Sequence, residues 1–241
     1  METTPQVPPV ENKRRSNLLT PEQGLDVRLK DILKLFGFFL LLQTIGMLLY
    51  PSSLPENNRA VFDPLMSLLF LWSYNHYGYW PSFADFGLTK EKFLGSLKTG
   101  LLWAVGAQGL SYVLGKLLPI ILGPWAKWAE TSMDVPVYLW GWVAFFIRVV
   151  IFAPIIEEII FRGIVFGTIR HKSGRRWALV ITTLAFTLLH GVNPVSFVQI
   201  LIPGIAFVLL YEREGNLAAP VITHAGFNLI STLGLLAETF L

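Results

Sequence analysis

From residue 32 to residue 236 the chain is a succession of apolar runs, most of them eighteen residues or longer, joined by short polar stretches. A bilayer's hydrocarbon core is ~30 Å thick, and about 20 residues of α-helix cross it. A segment buried in lipid must satisfy its own backbone, which a helix does. Only 15% of the residues are charged and 53% are hydrophobic, whereas soluble domains carry roughly a quarter charged residues. The expectation is an all-α, polytopic membrane helical bundle with about seven transmembrane helices. The absence of cysteine excludes disulfides, thiolate metal ligands and a cysteine nucleophile. The net charge of +3 sits in short loops and in the N-terminal stretch, where membrane topology accounts for it without a nucleic-acid partner.

The runs fall at residues 32–50, 60–77, 100–122, 136–170, 177–191, 194–211 and 217–236. Residues 1–29 are polar, with the run Lys13-Arg14-Arg15, and read as a disordered cytoplasmic tail; residues 30–241 read as a single transmembrane domain. Trp72, Tyr74, Tyr77, Tyr79 and Trp80 crowd the far end of the second run as an interfacial belt would. Residues 85–98 predict a separate amphipathic surface helix, opened near Thr89. Residues 136–170 would make a helix of ~50 Å, either one crossing kinked at Pro154 or two. The most basic loop, Arg170 to Arg176, is cytoplasmic only if that stretch crosses once, given a cytoplasmic N-terminus. One crossing is therefore expected.

Within this apolar background Glu157, Glu158 and Arg162 stand on one helix. Charged groups at such depth are costly and mark functional sites. Glu158 and Arg162 are spaced i, i+4 and can pair, so Glu157 must find a different partner. One structural and one working carboxylate are expected. His190 follows Phe186 by four residues, and Asn228 follows His224 by four. Counting ~1.5 Å per residue from the cytoplasmic helix ends places Glu157 and His190 about 20 Å deep, Asn228 about 17 Å and His224 about 10 Å, an offset that helix tilt could absorb. His76 and His171 read as an interface residue and a loop residue. A carboxylate in a low-dielectric site beside a histidine can activate water, while a second histidine and an amide can donate to a developing oxyanion. Alternatively Glu157, His190 and His224 form a two-histidine, one-carboxylate set able to hold zinc; the lack of an HExxH pair and the presence of Asn228 favour the reading without metal.

The ordered set Glu157-Glu158-x-x-x-Arg162, Phe186-x-x-x-His190 and His224-x-x-x-Asn228 resembles the three motifs of the CPBP intramembrane protease family. That family comprises CAAX prenyl endopeptidases and bacteriocin-processing or self-immunity proteins, also called Abi. The resemblance covers residues 137–236, the expected catalytic core. It implies a glutamate-dependent membrane endopeptidase, with Glu157 and His190 activating water and His224 and Asn228 as oxyanion donors. Members are often named metalloproteases. The partners implied are membrane lipid and a peptide or lipidated protein substrate. The location implied is a prokaryotic cell membrane or a plastid membrane, with the site opening to the cytoplasmic side.

Two rival readings use the same residues. A proton-coupled transporter would relay protons through Glu157 and the histidines, but calls for inverted repeats with broken helices, and no such repeat is visible. A non-catalytic membrane adaptor would have no use for the complete set. The single crossing of residues 136–170 is checked by topology reporters: one fused after Ser173 should report cytoplasm and one fused after Ser132 the opposite side. Both on one side would rule out a single crossing.

Overall fold

The computed structural model describes residues 29–49, 62–76, 82–123, 136, 138–191 and 193–240. The expected tail and the belt residues Tyr77, Tyr79 and Trp80 lie outside them. The described residues form an all-α membrane helical bundle. Its helices are α1 (Leu29–Leu49), α2 (Phe62–His76), α3 (Lys90–Leu122), a long continuous run α4 (139–173), α5 (Arg175–His190), α6 (Pro194–Glu214) and α7 (Ala218–Phe240). By length and composition α3, α6 and α7 can each cross a membrane. Helices α2 and α5, with 15 and 16 residues, are shorter than the ~20 that a full crossing takes.

One sequence expectation is corrected here and another gains detail. The first is the separate surface helix at 85–98. A single 33-residue helix runs from Lys90 to Leu122, and residues 82–88 before it form a turn. Thr89 does open the helix: its backbone is extended and its hydroxyl accepts from the Lys92 amide, the N-cap arrangement. No break follows at Gly100, because that glycine is buried against Ile222 and the Ala219 carbonyl of α7. Gly100 belongs to a buried stripe of small residues on α3: Ser96, Gly100, Ala104, Ala107 and Ser111. Small residues let helix backbones approach where lipid provides no hydrophobic drive between helices. A side-chain carbon at Gly226 of α7 would lie 2.8 Å from the Ala104 methyl. Thr223 of α7 donates to the Gly100 carbonyl at 3.1 Å. The opposite face of α3 exposes Leu101, Leu102, Val105 and Leu110, an apolar surface suited to lipid.

The second concerns Pro154: the run 139–173 is one continuous helix with that proline inside it. A π-helical stretch, Ile147–Phe152, precedes it and another, Ile159–Phe166, follows soon after. Proline lacks an N–H, and its ring clashes with the carbonyl four residues back. The wider π turn accommodates it, and the Ala153 amide reaches five residues back, to the Arg148 carbonyl. Pro203 in α6 raises the same problem at the Gln199 carbonyl, and Ser111 of α3 solves it by donating there at 3.0 Å.

The turns set the depth of the site. Gly174, at φ +83°, reverses the chain between α4 and α5. Arg170 and Arg175 both pair with Glu212 near the end of α6, which holds the α4–α5 and α6–α7 turns at one end of the bundle. The α6–α7 turn is itself sunk: Leu217 and Ala218 have no exposure, and the Leu217 amide donates to the Phe86 carbonyl at 2.8 Å. Residues 82–88 cover it, with Gly87, at φ +74°, packed against Asn216 where a β-carbon would lie only 2.5 Å away. Helix α7 thus starts inside the bundle, which brings His224 level with groups that stand much further along their own helices.

Candidate active site

The structure places Glu157, His190, His224 and Asn228 along one cavity and buries Glu158 and Arg162. Glu157 on α4 has a carboxylate oxygen, Oε2, 3.3 Å from His190 Nε2 and 3.8 Å from His224 Nε2. Glu158, the next residue, turns the other way. Its Oε1 accepts from Arg162 at 3.0 Å and from His224 Nδ1 at 2.9 Å. The exposures separate the two carboxylates: the side chain of Glu157 is 23% exposed and that of Glu158 is 0% exposed. Glu157 opens onto a cavity of about 1170 Å³, and Glu158 does not line it.

Arg162 is fully buried. Besides Glu158, it donates to the Gly204 carbonyl of α6 at 3.1 Å. Its guanidinium lies 4.4 Å from the Phe186 ring centre and 5.2 Å from that of Phe207, cation–π contacts that partly replace lost hydration. The same two rings hold the imidazoles. Phe207 stacks on His224 with centroids 4.5 Å apart, and Phe186 lies against His190 at 4.3 Å. Phe207 was not legible as a site residue. It occupies an ordinary apolar position in α6, and no spacing distinguishes it from its neighbours.

The hydrogen bonds settle which ring nitrogens carry hydrogen. His190 Nδ1 lies 2.8 Å from the Phe186 carbonyl. A carbonyl can only accept, so Nδ1 donates and Nε2 of the neutral ring is an acceptor. His224 Nδ1 likewise donates to the Glu158 carboxylate. The 3.3 Å approach of His190 Nε2 to Glu157 is within ion-pair range, yet Glu157 Oε2 is buried and has no hydrogen-bond partner. The neutral ring leaves no hydrogen on that line, so the two groups bond directly only when Nε2 is protonated. Asn228 Nδ2 donates one hydrogen to the Val149 carbonyl at 2.8 Å, leaving its second N–H uncommitted to that bond.

Glu157, His190 and His224 are also the residues considered for zinc. Each ring has its Nδ1 tied, the orientation a histidine ligand adopts. However, among the described residues no group of three or more His, Cys, Asp or Glu side chains is arranged to hold a metal ion.

All seven helices line the cavity. Phe39 and Ser67 come from α1 and α2 and Val105 from α3, and the lining includes the polar residues Arg148, Gln108 and Glu238 besides Glu157. His190, His224, Glu157 and Asn228 thus line one cavity inside a membrane bundle. Residues 139–230 match the family described as "Type II CAAX prenyl endopeptidase Rce1-like". The UPF0177 protein YbdI of Lactococcus lactis is 28% identical over 54% of this chain and 74% of its own. An uncharacterised 24.3 kDa protein of Escherichia coli is 30% identical over 57% of this chain and 64% of its own. The candidate membrane peptidase YdiL of Bacillus subtilis is 32% identical over 32% of each chain. The match thus spans less than two thirds of the last two. No solved structure gives a significant match.

Breaking the buried pair should cost stability. Glu158→Gln leaves Arg162 buried without its counter-charge, a loss of about 3–5 kcal/mol. It should appear as a lowered unfolding midpoint in detergent, whereas Glu157→Gln should leave that midpoint nearly unchanged.

Proposed function

We propose that this protein is an intramembrane endopeptidase that hydrolyses a peptide bond in a membrane-associated or lipidated protein. The observation that carries the reading is Glu157 at the wall of the cavity, its side chain part-exposed and its Oε2 3.3 and 3.8 Å from two imidazole Nε2 atoms. A water in the cavity donates one hydrogen to the cavity-side oxygen of the Glu157 carboxylate and the other to the neutral His190 Nε2. Both partners are acceptors, so the water's oxygen lone pair is left facing the substrate. As it attacks the scissile carbonyl, one of these bases takes its proton and later delivers it to the leaving amine. The tetrahedral oxyanion is held by the second N–H of Asn228. His224 joins it from Nε2 only when both ring nitrogens carry hydrogen, since Nδ1 is committed to Glu158. Such preorganised donors are worth about 100-fold or more in rate each. The family's description as CAAX prenyl endopeptidase supports a lipidated substrate, and the largely apolar cavity wall supports a lipid-borne one.

The test uses full-length protein in proteoliposomes with two internally quenched peptides, a prenylated CAAX peptide and its unprenylated counterpart. Cleavage of the prenylated peptide is expected. Glu157→Gln should abolish it in a protein that remains folded, because the amide keeps the volume and loses the base. Cleavage of neither peptide by the wild type, or normal cleavage by Glu157→Gln, would refute the mechanism.

Metal dependence is tested on the same preparation. Elemental analysis should find no stoichiometric zinc, and exhaustive chelation should leave the rate unchanged. Activity lost on chelation and restored by zinc would instead make His224 a ligand.

A further inference from the structure

The hydrogen bond from Asn228 to Val149 needs an accepting carbonyl that a regular helix would not leave free. In an α-helix the Val149 carbonyl would accept from the amide four residues on, that of Ala153. Here the Ala153 amide is drawn to Arg148 instead. In the π register the donor for Val149 would be residue 154, which is proline and has no N–H. Neither helical donor reaches Val149. Its carbonyl, inside a membrane bundle where an unsatisfied group costs several kcal/mol, is met by Asn228 Nδ2 at 2.8 Å. We infer that Pro154 is a positioning residue: by withholding its N–H it reserves the Val149 carbonyl for Asn228 and so fixes the amide that serves as oxyanion donor. This deepens the endopeptidase reading and rests on it. Pro154 stands three residues before Glu157, so one helical irregularity holds both the base's approach and the donor's direction. The neighbouring case of Pro203 shows that the chain uses the device elsewhere, since the carbonyl Pro203 releases is taken by Ser111.

The experiment restores and then removes the N–H. In Pro154→Ala the new amide bonds Val149 in the π register. If the turn relaxes to α-helix, Ala153 does so instead. Either way Asn228 is displaced. Turnover of the prenylated CAAX peptide in proteoliposomes should fall about tenfold in kcat, as expected for a catalytic group shifted by under an ångström, with KM changed less than about twofold. Alanine favours helix interiors far more than proline does, so the unfolding midpoint of this variant should be unchanged or raised. A merely structural proline would lose stability and rate together. Pro154→N-methylalanine, introduced by cell-free translation into nanodiscs, again lacks the N–H and should recover the lost kcat. Wild-type turnover by Pro154→Ala, or an N-methylalanine variant as slow as the alanine one, would overturn the inference. Asn228→Ala separates it from the broader reading. If that variant is slow while Pro154→Ala is not, only the positioning role of Pro154 falls. If Asn228→Ala turns over like the wild type, the oxyanion role of Asn228 falls and the inference with it.

Discussion

A guanidinium with no exposed surface, that of Arg162, lies between Glu158, the Gly204 carbonyl and the rings of Phe186 and Phe207. Removing such an ion from water costs several kcal/mol, which attraction offsets only when geometry and further hydrogen bonds are good. Here they are supplied by three helices beside its own. Glu158 neutralises the charge from within α4, α5 and α6 provide the two rings, α6 provides the carbonyl, and α7 sends His224 to the same carboxylate oxygen. The pair therefore fixes how α4 to α7 meet. It also fixes the His224 ring, whose Nδ1 is held so that Nε2 faces Glu157. Glu157 is placed by what its neighbour does, and adjacent residues on one helix differ in surroundings because one faces inward and the other faces the cavity.

Two prolines contribute in a way that a membrane environment makes useful. In water, a carbonyl released by proline is simply hydrated. Inside lipid it must find a donor, and the donors available are polar side chains on other helices. Ser111 and Asn228 fill that role for Gln199 and Val149. A defect in one helix thus becomes a directional contact between two. The small-residue stripe on α3 complements these contacts, since Gly100, Ala104 and Ala107 bring α7 close enough for Thr223 to reach the Gly100 carbonyl.

Much of the site was legible from spacing alone. The i, i+4 interval of Glu158 and Arg162 foretold the buried pair, and the odd position of Glu157 foretold its different partner. The convergence of His190, His224 and Asn228 followed from the distances of these residues along their helices. Less legible was anything that depends on one helix completing another. The 85–98 stretch read as a surface helix because its charges are amphipathically spaced, yet the helix continues without a break because Gly100 is packed under α7. The depth of His224 was attributed to tilt, whereas a sunken turn beneath residues 82–88 provides it. Phe207 carries no sequence mark because stacking on an imidazole asks nothing of a residue except an aromatic ring.

By itself the sequence determined that the chain is a bundle of membrane helices and which few polar groups it carries into lipid, because hydrocarbon thickness and the cost of buried charge are read directly from run length and residue type. Only the tertiary structure decided what those groups do. Which carboxylate faces the cavity, which imidazole nitrogen is free and which carbonyl Asn228 meets are settled by contacts between residues tens of positions apart. Those contacts depend on the register of neighbouring helices, which local periodicity does not encode.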